Sequence, residues 1–155
     1  MAAAPPSEHV SNIMSTKVIT VKMTEKVAKA LSLMVRHKIG SVVVLSEGKP
    51  VGILTERDIS TKVARGQNLK TMPLKTAMSK PLVTAPPSMD IQDAVTLMVR
   101  KDIRRLPVVE GEKLVGMVTE RDVMYWFVKV AYEPNIPEDL KALLENRTNA
   151  HALAR

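Results

Sequence analysis

At 155 residues, with 45% hydrophobic and 25% charged side chains, the chain has room for one compact domain or two small repeats sharing a core, and is too apolar to be wholly disordered. It has no Cys, which excludes a disulfide framework, a thiolate metal site and a Cys nucleophile; one Trp, two Tyr and one Phe against ten Met require an aliphatic, Met-filled core. The net charge of +7 favours anionic partners, whether nucleotide phosphates, nucleic acid or acidic protein, without choosing among them.

Residues 1–9 read as a loose arm, short, small and Pro-containing, and unlike a signal peptide. No apolar run reaches membrane-spanning length, so the expected location is the cytoplasm, with no membrane partner. Val18-Ile19-Thr20-Val21 is a short β-branched run and predicts a strand. Val27, Leu31, Met34 and Val35 then repeat at helical spacing and predict one apolar stripe, with Thr24 as the N-cap. Ser41-Val42-Val43-Val44-Leu45, the turn Glu47-Gly48 and the run Val51-Gly52-Ile53-Leu54 predict a hairpin, and a second helix begins near Thr55.

The same order returns. Offset by 64, the segment Ile13–Ile59 aligns without a gap on Ala77–Val123, with identities in 17 of 47 pairs, which is duplication. Leu82-Val83-Thr84 matches the first strand, and Ile91, Val95, Met98 and Val99 the helical stripe, with Ser88 as cap. Pro107-Val108-Val109, the turn at Glu110-Gly111 and Leu114–Val118 match the hairpin, and the last helix begins near Thr119. The expected boundaries are residues 10–66 for repeat one, 67–73 for a linker, 74–131 for repeat two and 132–155 for a C-terminal extension, in which 136–146 predicts a further helix. The fold class is therefore α/β in the broad sense (α+β), two β-α-β-β-α units packed sheet to sheet, because one such unit buries too little surface alone.

The duplicated Thr-Glu-Arg-Asp, residues 55–58 and 119–122, has two readings. Thr followed three residues later by an acid, ahead of a helix, is a capping box and needs no ligand. Against that, each copy follows an apolar strand with a Gly and carries a cation, Arg57 or Arg121. A helix N-terminus at a strand end attracts anions, and a carboxylate one turn in can accept two hydrogen bonds from a ribose diol, which makes Asp58 and Asp122 candidate ribose ligands.

The order of elements and the paired segments Gly52–Asp58 and Gly116–Asp122 resemble a tandem of cystathionine-β-synthase-type (CBS) domains, the Bateman module, over about Val10 to Phe127. The resemblance implies a disc with clefts between the two repeats that bind AMP, ADP, ATP or S-adenosylmethionine. It implies that Asp58 and Asp122 hold ribose hydroxyls and that Thr55 and Thr119 contact ribose or phosphate. It also implies pocket walls at Lys17-Val18-Ile19 and Pro81-Leu82-Val83, and at Ile39-Gly40-Ser41-Val42 and Ile103-Arg104-Arg105-Leu106-Pro107. Arg104-Arg105 stand where repeat one has Gly40-Ser41, so a guanidinium fork for phosphate comes only from the second copy, and the Asp122 site is expected to bind a phosphorylated ligand more tightly.

No nucleophile elbow, P-loop or catalytic carboxylate pair is present, and His9, His37 and His151 are isolated, so neither an enzyme nor a metal protein is expected. The expected function is a regulatory nucleotide sensor, without catalytic cofactor, that acts on a partner protein or as a homodimer. Its competitor is a nucleic-acid-binding protein using Lys17, Lys22, Lys26, Lys29, Arg36 and Lys38, since residues 1–70 hold eleven Lys/Arg against five Asp/Glu. Tyr125-Trp126-Phe127 reads as a packing or dimer surface.

Overall fold

Two hairpins and the helices around them carry the chain through residues 8–132, which with residues 138 and 142 are the part that the computed structural model describes. Of the helix expected over 136–146 only residues 138 and 142 are described, and both are helical. Repeat one contains strand β1 (Thr20–Lys22), helix α1 (Val27–His37), strands β2 (Ser41–Ser46) and β3 (Lys49–Thr55) and helix α2 (Glu56–Ala64). A one-turn helix α3 (Leu74–Ala77) precedes helix α4 (Ile91–Lys101), strands β4 (Arg105–Glu110) and β5 (Lys113–Thr119) and helix α5 (Glu120–Tyr132). The fold is mixed α+β with two sheets, ordered β1-β2-β3 and β4-β5.

Strand β1 lies parallel to β2, and α1 makes the crossover between them. β2 and β3 are antiparallel, and Glu47 and Gly48 both take positive φ in the turn, the backbone that a two-residue hairpin with right-handed twist demands. The register slips between Val44 and Leu45, opposite Pro50, which has no N–H for the ladder.

Three expectations are corrected. The strand expected at Leu82–Thr84 is absent; only an isolated parallel bridge joins Ala85 to Val108. In repeat one the Met23 N–H donates to Leu45 O at 2.8 Å, and the matching residue of repeat two is Pro87, preceded by Pro86, so the donors that would extend the strand are missing. Thr24 and Ser88 are not the N-caps. The caps are Lys26 and Asp90, and the first helical N–H of each helix is met by a backbone carbonyl, Val27 N to Met72 O (3.0 Å) and Ile91 N to Glu8 O (2.9 Å). Finally, Val35 and Val99 leave the core stripe and stand 78% and 75% exposed. The buried line runs Val27, Ala30, Met34 and Ile91, Ala94, Met98 instead, because Ala lets the helix approach its sheet and turns the next Val outward.

The described residues fall into two compact units that are not the two repeats. One holds residues 18–84 and 109–114, the other 8–17, 85–108 and 115–132. The segment leading into repeat two thus packs with repeat one, and the segment leading into repeat one packs with repeat two. Backbone pairs fix each exchange, Ser79 with Ile53 in the first unit and Ser15 with Met117 in the second. The first unit's core includes Val21, Val27, Ala30, Met34, Val42, Val44, Leu54, Leu74 and Met78. Val10, Ile91, Met98, Leu106, Val118 and Trp126 are buried in the second. Both cores are aliphatic with Met filling, as the composition requires, and the second adds Trp126.

Candidate functional site

Each Thr-Glu-Arg-Asp sits where a strand passes into a helix. β3 ends at Thr55 and α2 begins at Glu56; β5 ends at Thr119 and α5 begins at Glu120. The capping box exists in both copies. Asp58 Oδ2 accepts from Thr55 N (2.8 Å) and Thr55 Oγ1 (2.9 Å), while Thr55 Oγ1 accepts from Asp58 N (3.3 Å). Asp122 Oδ2 accepts from Thr119 N and Thr119 Oγ1, both at 2.7 Å, and Thr119 Oγ1 accepts from Asp122 N at 3.3 Å. The bland reading of the motif is therefore structurally true and leaves one carboxylate oxygen per copy unused by the cap. Thr55→Ala and Thr119→Ala should each cost about 1 kcal/mol of stability, measured by urea unfolding, since each removes a cap acceptor from a helix start.

The residues in front of each motif are drawn to it by the backbone. Glu56 N donates to Gly40 O at 3.1 Å, and Glu120 N donates to Arg104 O at 3.0 Å, so the loops before β2 and β4 close on the helix starts. In the first unit Ile39, Gly40, Thr55 and Asp58 are half-buried, Arg57 and Pro81 are exposed, and Val18, Ile19, Leu82 and Val83 are half-buried. In the second, Ile103, Arg105, Thr119 and Asp122 are half-buried, and Lys17, Arg104 and Arg121 are exposed. Ser41, Val42, Leu106 and Pro107 are buried. Arg104 Nε lies 3.8 Å from Glu120 Oε2 with both side chains 71% exposed, a contact too open to hold the guanidinium against an arriving anion.

The exchange of leading segments decides which of the expected wall residues share a unit with which motif. Ser79 N donates to Ile53 O (2.8 Å) and Ile53 N to Ser79 O (3.2 Å), so Pro81, two residues on, enters the unit of Asp58. Ser15 N donates to Met117 O and Met117 N to Ser15 O, both at 2.9 Å, so Lys17 enters the unit of Asp122. Sequence reasoning missed the residues that perform this exchange. Met14-Ser15 and Met78-Ser79 are identities of the repeat alignment, and they precede the recognised strands. Each Met lies over the Gly of the facing strand, where a Cβ on Gly52 would stand 2.6 Å from Met78 Sδ and one on Gly116 would stand 2.5 Å from Met14 Sδ. In the first unit Ser79 also reaches the motif itself, donating from Oγ to Asp58 Oδ1 at 2.7 Å.

Among the described residues no group of three or more His, Asp or Glu is placed to hold a metal ion, and no helix is long and apolar enough to cross a membrane.

The family model of the CBS domain matches residues 10–65 and again 74–129. The chain belongs to the CBS domain family. A CBS domain-containing protein of Bacillus subtilis, YhcV, is 39% identical over 115 residues, 74% of this chain and 81% of its own length. An uncharacterized protein of Methanopyrus kandleri is 38% identical over 142 residues, 90% of this chain and 71% of its own. The inosine-5′-monophosphate dehydrogenase of Methanocaldococcus jannaschii is 32% identical, but this chain spans only 30% of that enzyme, so the likeness carries no activity over. Among solved structures, the CBS domain pair of protein MJ0100, in complex with 5′-methylthioadenosine and S-adenosyl-L-methionine, superposes with a TM-score of 0.72 at 27% identity, covering 79% of this chain and 97% of that one. A hexameric CBS-CP12 protein from bloom-forming cyanobacteria gives 0.74 at 30% identity, covering 97% of this chain and 91% of that one.

Proposed function

We propose that this CBS pair is a regulatory module that binds AMP, ADP or ATP, holds the ribose diol on Asp58 and Asp122, and passes occupancy on to a partner protein or to its own oligomer. The observation that carries the reading is the capping geometry. The Thr hydroxyl and N–H saturate one carboxylate oxygen and steady the side chain, while the other oxygen of Asp122 has no donor among the described residues. An ionised carboxylate held still with an unused oxygen is what a vicinal diol requires. Ribose is common to adenine nucleotides and to the adenosyl ligands of the MJ0100 pair, so the similarity supports the class of ligand. Arg104 and Arg105 favour a phosphate over a sulfonium, since a guanidinium attracts the first and repels the second.

Calorimetric titration with AMP, ADP, ATP and S-adenosylmethionine tests the reading. Saturable binding of a phosphorylated ligand supports it, binding of S-adenosylmethionine alone moves it to the adenosyl sensor, and silence toward all four defeats it. Salt-sensitive retention on polynucleotide in that last case would favour the exposed Lys22, Lys26, Lys29, Arg36 and Lys38 as the working surface.

Self-association follows from the outward apolar residues. Val35 and Val99 are equivalent in the repeat, as are Val63 and Phe127, and with Met124 all stand more than half exposed. Apolar side chains so disposed on the helices of both units favour burial against a second copy. Phe127→Asp is expected to shift the sedimentation coefficient toward that of a 17.1 kDa monomer; an unchanged oligomer would reject α5 as part of the contact.

A further inference from the structure

The two carboxylates are not equivalent, and the difference can be counted in lone pairs. An ionised carboxylate offers roughly four acceptor positions, two on each oxygen. In both motifs Thr fills the two on Oδ2, through its N–H and its hydroxyl. A ribose diol needs the two on Oδ1. At Asp122 both are open among the described residues; at Asp58 one is taken by Ser79 Oγ at 2.7 Å. Ser79 is tied at its backbone to Ile53 in both directions and cannot drift away as a segment, and only rotation of its side chain frees the acceptor.

We propose that Ser79 competes with the ribose diol for Asp58 and so sets the affinity of that site below that of the Asp122 site. The inference rests on the ribose-binding role given to the two Asp residues under the proposed function. It deepens that role into a graded response. The Asp122 site fills first, and the Asp58 site fills only at ligand levels that displace a hydroxyl already bound to the carboxylate. Ser79 acts on the ligand through Asp58, as a specificity-determining residue of the binding step.

The test isolates the Asp58 site by Asp122→Ala and compares that protein with the Asp122→Ala, Ser79→Ala double variant. The probes are AMP and 2′-deoxy-AMP. A hydrogen bond from a hydroxyl to a charged acceptor is worth about a factor of ten in an equilibrium, so removing Ser79 Oγ is expected to raise AMP affinity about tenfold. 2′-Deoxy-AMP presents one hydroxyl and needs one acceptor, which Asp58 already has free, so its affinity should be the same in both proteins. Ser79→Thr, which keeps a hydroxyl, should reproduce the weaker binding of AMP.

Equal AMP affinity with and without Ser79 Oγ would overturn the proposal, and so would an equal gain for AMP and 2′-deoxy-AMP, which would mean that Ser79 acts through packing. In either case the unaltered protein still binds AMP and the sensor reading survives. If the unaltered protein binds none of the adenine ligands, the sensor reading fails, and the role of Ser79 with it.

Discussion

Asp122→Ala is expected to weaken AMP binding at its site by about a hundredfold, because in the proposed ribose role the variant removes the acceptor of two diol hydroxyls. Each such bond to a charged oxygen is worth roughly 1.5 kcal/mol net, and about 1.4 kcal/mol is a factor of ten. The same substitution also opens the capping box, since Asp122 Oδ2 no longer accepts from Thr119 N, so some loss of stability accompanies it. Thr119→Ala separates the two effects. It removes the hydroxyl of the cap and leaves the carboxylate, so it should lower stability by a similar amount, about 1 kcal/mol, while affinity falls far less. Titration of both variants, with unfolding curves on the same samples, reads the two quantities independently. An Asp122→Ala protein that binds AMP as tightly as the unaltered one would remove the ribose role from this residue, whatever happens to its stability.

Gly116→Val should destabilise the protein by about 3 kcal/mol, the upper range for overpacking a closed contact. The first added carbon would stand 2.5 Å from Met14 Sδ and 3.0 Å from Ser15 O. The thioether can swing aside; the carbonyl cannot, because Ser15 is bonded to Met117 through both its N–H and its C=O. Valine therefore has to push the leading segment off β5, and with it Lys17, which lies two residues beyond Ser15 in the same unit as Asp122. For a chain of this size the loss corresponds to a fall in melting temperature of about 10 °C. Gly52→Val should do the same in the other unit, against Met78 Sδ at 2.6 Å and Ser79 O at 3.0 Å. Met14→Ala in the Gly116→Val background relieves only the contact with the thioether, so it should recover part of the stability and not all. If Gly116→Val unfolds at the same urea concentration as the unaltered protein, the close approach of the leading segment is not a fixed feature of the fold.

Much of the local structure of the candidate site was legible in the sequence because it rests on residues close along the chain. The capping box is a contact between residues three apart, and Thr55 with Asp58 and Thr119 with Asp122 make it in the pattern their spacing predicts. The hairpin at Glu47-Gly48 is likewise written in two residues. The misreadings have physical causes of their own. Leu82–Thr84 has the composition of a strand, but Pro86 and Pro87 remove the donors by which it would extend. Thr24 and Ser88 have the composition of caps, but carbonyls from remote segments, Met72 and Glu8, reach the helix starts instead. Val35 and Val99 satisfy an apolar period, yet Ala30 and Ala94 take the buried line, and a period alone does not say which edge of a wide stripe faces the sheet.

Ser79 marks the limit most clearly. Its identity with Ser15 in the duplication was visible, but nothing in a serine's neighbours along the chain says that its hydroxyl meets Asp58, twenty-one residues away. The sequence by itself determined the duplication, the order of elements in the first copy and, its missing first strand apart, in the second, and the capped carboxylate at the head of each second helix, since all of these follow from periods and spacings within a few residues. The tertiary structure alone decided that the segment entering each repeat packs with the other repeat's hairpin, so that Ser15 and Lys17 join Asp122 while Ser79 and Pro81 join Asp58. Two copies with nearly the same apolar pattern offer each leading segment two chemically similar edges, and the choice between them depends on long-range packing, Met14 over Gly116 and Met78 over Gly52, which no local period encodes.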